Sequence, residues 1–245
     1  MKRFFGSLLI VSIFFTLPSC SKQDEGIKTA PLSTYFPTEV GKYITYKLDS
    51  VAFLPFGTSS VIKSYEVKYL TEAEIRDNLG RKAFRVIRYI RPDTGAAWSP
   101  DASFMAINDS SSAEFVENNM RFVKLVLPIK NGLSWKGNTY IDTYSLNSTV
   151  RYLDDWDYTY DSVGVPLTLG NFNFDNTLKV NQRDEIIGDP QDPLSYSEIN
   201  IGIEKYAAGI GMIYRKFFHS EYQPGGGGFF AEGSYGVTYT IIDHN

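Results

Sequence analysis

Cysteine and histidine are scarce in this chain of 245 residues: one cysteine, Cys20, and two histidines, His219 and His244. A single cysteine excludes an internal disulfide and any zinc site built on thiolates. Neither histidine stands in an HExxH or His-x-His spacing, so a histidine-built zinc site has no support either. Basic residues are not in excess, with 24 Lys and Arg against 28 Asp and Glu. That balance argues against nucleic acid as a partner, because phosphate binding needs a positive footprint. It also argues against a polybasic contact with anionic lipid. No apolar run approaches the ~20 residues of a membrane-spanning helix. A strand–helix–strand rhythm is missing, which removes Rossmann and TIM architectures. There is no GxSxG elbow, and no glycine loop leads into a helix that could cradle phosphate. The expectation is a protein without cofactor that is not an enzyme.

Aromatic and β-forming residues fill the space these absences leave. The chain holds 17 Tyr, 17 Phe and 3 Trp, and is 43% hydrophobic. Such a composition can bury a sizeable core and is unlike a disordered tail. Val61, Tyr65, Val67 and Tyr69 alternate with Ser64, Glu66 and Lys68, the period of a half-buried strand. Further strand-like runs are residues 42–53, 83–91, 103–108, 121–129, 139–144, 150–161, 177–187, 199–207, 210–222 and 229–243. Turn chemistry separates them at Asn78-Leu79-Gly80, Pro92-Asp93-Thr94-Gly95, Asn131-Gly132, Gly137-Asn138 and Pro224 with its following glycines. Only Glu72 to Asn78 reads as helix. The expected fold is all-β and mainly antiparallel, one domain over residues 35–245. A sheet of about ten strands curls or splits. The pattern therefore fits a strongly curved half-barrel, with a two-sheet β-sandwich as the alternative.

The N-terminus speaks to location. Lys2 and Arg3 precede a 14-residue uncharged run from Phe4 to Leu17, the proportions of a signal-peptide core. Leu17-Pro18-Ser19-Cys20 then resembles the lipobox of bacterial lipoproteins. The resemblance implies removal of residues 1–19 and attachment of diacylglycerol, with palmitate-type chains, to Cys20. Loss of Lys2 and Arg3 would take the net charge from −4 to −6. Two or three acyl chains hold a protein on a membrane durably where one does not. Residues 20–34 lack any apolar period and read as a tether. Lys22, Asp24 and Glu25 within it resemble the export tag of surface lipoproteins of Bacteroidota; the alternative is a solvated linker. Other segments are similar to uncharacterised Bacteroidota lipoproteins: Val40-Gly41-Lys42-Tyr43, Leu127-Pro128-Ile129, Asp175-Asn176-Thr177-Leu178, and Glu204-Lys205-Tyr206-Ala207 with Gly209-Ile210-Gly211-Met212. The likeness implies a mainly β, lipid-anchored envelope protein, most simply of the outer membrane. It carries over no catalytic residue.

Several residues invite chemistry. His219 lies in the strand-like Phe217-Phe218-His219-Ser220-Glu221 and reads as a packed or surface histidine rather than a base. Asp154, Asp155, Asp157 and Asp161 could offer oxygens to Ca²⁺, but lack the EF-hand order and read as a solvated face. Gly202, Gly209 and Gly211 are expected near strand ends, with Tyr206, Ile210, Met212 and Tyr214 alternating into the core. Gly225 to Gly228 reads as a hairpin loop. Asp49-Ser50-Val51 and Asp161-Ser162-Val163 resemble the short Asp-Ser-apolar sequence that Bacteroidota glycosylate, which would put a bulky solvent-facing glycan on Ser50 or Ser162. The expected role is a non-catalytic binding module for an apolar or glycan ligand. The alternatives are a structural lipoprotein docking envelope partners and, behind both, a hydrolase.

Overall fold

A computed structural model describes residues 29–54 and 57–245. The signal segment, Cys20 and the first part of the tether lie outside the described residues. Thirteen strands follow one another: β1 (Tyr43–Phe53), β2 (Ser60–Arg76), β3 (Lys82–Arg91), β4 (Ser99–Asn108), β5 (Ser112–Glu117), β6 (Met120–Val126), β7 (Ser134–Lys136), β8 (Asp157–Leu169), β9 (Phe172–Gly188), β10 (Ser197–Ala207), β11 (Gly211–Gln223), β12 (Phe229–Phe230) and β13 (Tyr235–His244). All belong to one antiparallel sheet, in the order β6-β5-β4-β3-β2-β1-β13-β11-β10-β9-β8-β7, with β12 pairing β11 beside that path. The first and last long strands, β1 and β13, therefore meet in the middle of the sheet.

The sheet curls until its two ends touch, so the half-barrel expectation holds in an almost closed form and the sandwich does not. Val123 N–H on β6 donates to the Gly137 carbonyl just past β7 at 2.8 Å, and Trp135 Nε1 donates to Val123 O at 2.8 Å. One step along, the Tyr160 hydroxyl donates to Val126 O at 2.7 Å and accepts from Val126 N at 2.8 Å. Gly137 rests flat on the Tyr158 ring, where any side chain would collide. Alternation does the rest: Tyr46 and Leu48 of β1 are buried while Lys47 between them is exposed.

Residues 29–37 seal one end. Thr29 Oγ1 accepts from Ile129 N at 2.8 Å, Gly209 N donates to Thr34 O at 2.7 Å, and Asn108 Nδ2 donates to Phe36 O at 2.9 Å. Between them a single helical turn, α1 (Leu32–Tyr35), buries Leu32 and Tyr35. Four residues cannot hold a helix by propensity, so tertiary contacts hold this one. The Tyr35 hydroxyl, for instance, donates to Asn176 Oδ1 at 2.6 Å. Residues 29–34, read from sequence as the end of a tether, belong instead to the packed body.

Other expectations are corrected. Glu72 to Asn78 is not helical: it carries the end of β2 into a turn, where Asp77 Oδ1 accepts from Leu79 N and Arg81 N, both at 2.9 Å. Pairing of Arg76 with Lys82 overrides the local helical pattern. Residues 139–144 form a loop, and the strand lies before them at β7. The strand β5, short and broken by Glu114 and Glu117, had no place among the expected runs. A bulge between Lys205 and Tyr206 shifts the β10–β11 register. Tyr206 and Ile213 are consequently buried, whereas Met212 and Tyr214 are only half-buried. Gly202 sits inside β10, not at its end.

Candidate functional site

The barrel interior is crossed by a layer of charge. β5 ends on Glu117, β6 presents Lys124, β10 presents Glu204 and β11 presents Arg215. Lys124 and Glu204 are 4% and 0% exposed. Lys124 Nζ lies 2.7 Å from Glu204 Oε1, and the Tyr206 hydroxyl donates to Glu204 Oε2 at 2.5 Å. Arg215 Nη1 donates to Glu117 Oε2 at 3.1 Å and lies 2.9 Å from Glu117 Oε1. Arg215 Nε is 3.7 Å from Glu204 Oε1, which ties the two pairs into one network. Two cations and two carboxylates cancel, the condition under which charges survive away from water.

Protonation follows from this geometry. Burial pushes the Glu204 carboxyl up, but the Lys124 and Arg215 charges and the donors on Lys124 and Tyr206 outweigh it. Glu117 is likewise pushed up by burial and pulled further down by Arg215 and Lys124. Both acids stay below the ordinary carboxylate value and are ionised at neutral pH. Burial, together with the Glu204 charge, raises the Tyr206 phenol, which stays protonated and can keep donating.

The charge layer divides the lumen in two, since Glu117, Lys124 and Arg215 line a hollow on either side of it. The first hollow, about 110 Å³, lies at the end sealed by residues 29–37. Its walls are Phe36, Ile44, Tyr46, Tyr69, Ile210 and Met212, and Pro37, Lys42 and Tyr43 form its rim. The second, about 170 Å³, lies at the opposite end, below the left-handed Asn118–Asn119 turn that joins β5 to β6. Aromatic rings, including Trp156, Phe217 and Tyr235, line it together with Arg88 and Gln182. Both hollows are small because, among the described residues, tyrosine and phenylalanine rings fill much of the lumen. Tyr46 packs edge-on against Tyr69 and Tyr239 at 5.6 and 5.7 Å between centroids.

A third depression lies on the outer face. Val51, Phe53, Phe218, Tyr222 and Phe230 line a groove of about 570 Å³ under the 189–196 loop and β12. It forms because Phe218 crosses Gly236, which has no side chain to block it.

The residues singled out from sequence lie elsewhere. His219 is 5% exposed and stacks on Tyr152 at 3.7 Å between ring centroids. Asn200 Nδ2 donates to Glu198 and Glu185, so its Oδ1 faces His219 Nδ1 at 2.8 Å, and that nitrogen carries the proton. Burial lowers the His219 pKa, partly offset by Glu198, and the ring is neutral at pH 7. His244 lies beside Phe172, 5.7 Å between centroids, and pairs with Ile44, but is not among the residues lining either hollow. The four aspartates are dispersed. Asp154 accepts from Thr143, Asp155 and Asp157 bracket Lys136 at 2.5 and 2.9 Å, and Asp161 pairs with Lys179. Asp155 precedes β8 in a left-handed conformation, so it does not share a strand face with Asp157 and Asp161. Among the described residues no cluster of three or more His, Cys, Asp or Glu could hold a metal ion. Gly225–Gly227 forms a single 3-10 turn between β11 and β12. Ser50 pairs with Val237, and Val237 lines the second hollow, so Ser50 shares the lumen-facing side and is not placed for a solvent-facing glycan. Ser162 donates to the carboxylate of its neighbour Asp161 at a break in the β8–β9 register.

The charge layer was missed by sequence reasoning, although a signal exists. Lys124 occupies the same alternation as Phe122, and Arg215 the same as Ile213 and Phe217. A charge at an inward position of an apolar strand is the mark of a buried pair.

No protein-family model matches the chain, and no curated protein matches its sequence. A solved structure that resembles it is a Bacteroides fragilis protein described as a candidate exported protein with a YmcC-like fold. The two are 8% identical, with a TM-score of 0.43 over 86% of this chain and 99% of that one.

Proposed function

We propose that the protein is a lipid-anchored lipoprotein of the bacterial outer membrane that binds the apolar end of a small amphiphile. The observation that carries this reading is the hollow at the sealed end of the barrel. Its walls are apolar and its floor is the charge layer. At about 110 Å³ it approaches the ~150 Å³ of an engineered apolar cavity that holds benzene. It therefore suits one end of a ligand rather than a whole lipid. The chain also enters the described body at this end, through Thr29 and α1, so an anchor on Cys20 would keep the rim of the hollow close to the bilayer.

Two measurements test the reading together. Cys20→Ser should move the protein from the membrane to the soluble fraction; retention on the membrane removes the anchor. Native mass spectrometry of wild-type protein taken from membranes should find a bound amphiphile, and Met212→Trp, which fills the hollow, should abolish it. Ligand-free wild type, or a ligand that persists in Met212→Trp, removes the binding role. The outer groove favours a second reading, docking of an envelope partner. Leu54, Ile62, Leu194 and Phe229, on segments near it, are 43%, 69%, 84% and 38% exposed.

A further inference from the structure

The second hollow shares Glu117, Lys124 and Arg215 with the apolar one but adds polar chemistry of its own. Gln182 is 4% exposed and lines this hollow, and its Nε2 donates no hydrogen bond. Arg215 Nε, on the same lining, is buried and also without a hydrogen-bond acceptor. Glu117 Oε1, though 2.9 Å from Arg215 Nη1, receives no well-directed hydrogen bond. Leaving one such group unsatisfied costs about 1–3 kcal/mol, so three on one lining call for a partner.

The three orphans specify that partner. Two N–H groups need an acceptor and one carboxylate oxygen needs a donor. A hydroxyl does both at once, since it accepts through its lone pairs and donates its proton. A carboxylate ligand would meet the two N–H groups but would face Glu117 with like charge. The ionic network is already neutral, so no net charge on the ligand is called for. Around these groups stand Trp156, Phe217, Tyr158 and Tyr235, whose faces suit the C–H surface of a ring. The volume, about 170 Å³, equals that of about six waters at ~30 Å³ each. Entry is from the end of the barrel past Asn118 and Tyr235, the latter 37% exposed. Gly202 supports the arrangement from behind. A Cβ there would fall 2.7 Å from Trp156 Cζ3 and 2.9 Å from Gln182 Cβ, so its bare backbone gives both side chains their seats.

We infer that this hollow is a site for a single neutral sugar ring, such as the terminal residue of a glycan. Gln182 Nε2 and Arg215 Nε donate to a hydroxyl oxygen, and Glu117 Oε1 accepts the hydrogen bond that the hydroxyl donates. The role is binding, with no bond made or broken.

The test uses the full chain solubilised from membranes, with methyl glycosides of glucose, galactose, mannose and N-acetylglucosamine as probes. Saturation-transfer NMR reads binding, and the Gln182 side-chain amide resonances read its place. At least one glycoside should receive saturation and shift the Gln182 amide. Gln182→Leu should weaken that glycoside about tenfold, and Gly202→Ala should abolish binding. Should Gln182→Leu fail to fold, the amide shift in the wild type decides alone. Benzoate moving the amide where no glycoside does would make the ligand a carboxylate and overturn the inference. So would silence from every probe, which leaves a hollow holding solvent, or full affinity in Gln182→Leu. Because Met212 reports on the apolar hollow and Gln182 on this one, either site can fail without the other.

Discussion

Replacing Lys124 with methionine removes an ammonium from the barrel centre while keeping most of its aliphatic stem. Methionine is flexible enough to fill the vacated path, so little of the effect comes from a cavity. Glu204, 0% exposed, then loses the partner 2.7 Å from its Oε1. It keeps the Tyr206 hydroxyl and a more distant Arg215 Nε at 3.7 Å. Breaking a buried pair on one side costs about 3–5 kcal/mol, and the surviving contacts place this case near the lower bound. For a domain of this size each kcal/mol moves Tm by about 2–4 °C, so the expected fall is about 6–12 °C. Calorimetry at pH 7 measures it, with a urea titration as a second scale. The double variant Lys124→Met, Glu204→Gln removes both charges and leaves Arg215 with Glu117. It should recover most of the loss, with a coupling of about 2 kcal/mol in the double-mutant cycle. A single-variant loss below about 1 kcal/mol would match an exposed pair and refute the buried network. Strictly additive losses would refute the coupling.

The histidine at the other end of β11 makes a pH prediction. Its pKa is lowered in the fold, chiefly by burial, from about 6.5 in the unfolded chain. The contribution to stability is complete above pH 6.5 and is lost as pH falls through the lower folded value. An NMR titration should place the His219 midpoint under that of a free imidazole; a midpoint at or above 6.5 would contradict the stacking on Tyr152. Gly202→Ala should destabilise by about 1–3 kcal/mol, as overpacking does, because its Cβ would meet Trp156 and Gln182 at 2.7 and 2.9 Å. An unchanged melting curve would mean the β9–β10 register is wrong.

Much of the architecture was legible because strand alternation is a local property. The runs now seen as β1, β3, β10 and β11 could be bounded to within two residues from aromatic and β-branched content alone. Where reading failed, a distant partner decided. Glu72 to Asn78 has helical local character, yet Lys82 to Arg85 pair with it across the turn. Residues 29–34 look like linker because their apolar content is sparse, and contacts such as those of Thr29 with Ile129 and Thr34 with Gly209 order them. The site failed for a different reason. Glu117, Lys124, Glu204 and Arg215 are spread over about a hundred residues and meet only when β5, β6, β10 and β11 face each other across the lumen. Dense local clusters such as Asp154, Asp155 and Asp157 are more conspicuous in the sequence, yet single surface lysines or hydroxyls hold them.

The seam where β6 meets β7 bears on how such molecules tolerate crowding. An open sheet ends in rows of unpaired amides and carbonyls that another chain can extend into a fibre. Here the terminal strands are short, seven and three residues, and the Val123–Gly137 bond with its tyrosine and tryptophan neighbours occupies the positions a foreign strand would need. Copies brought side by side would offer one another no template along that line.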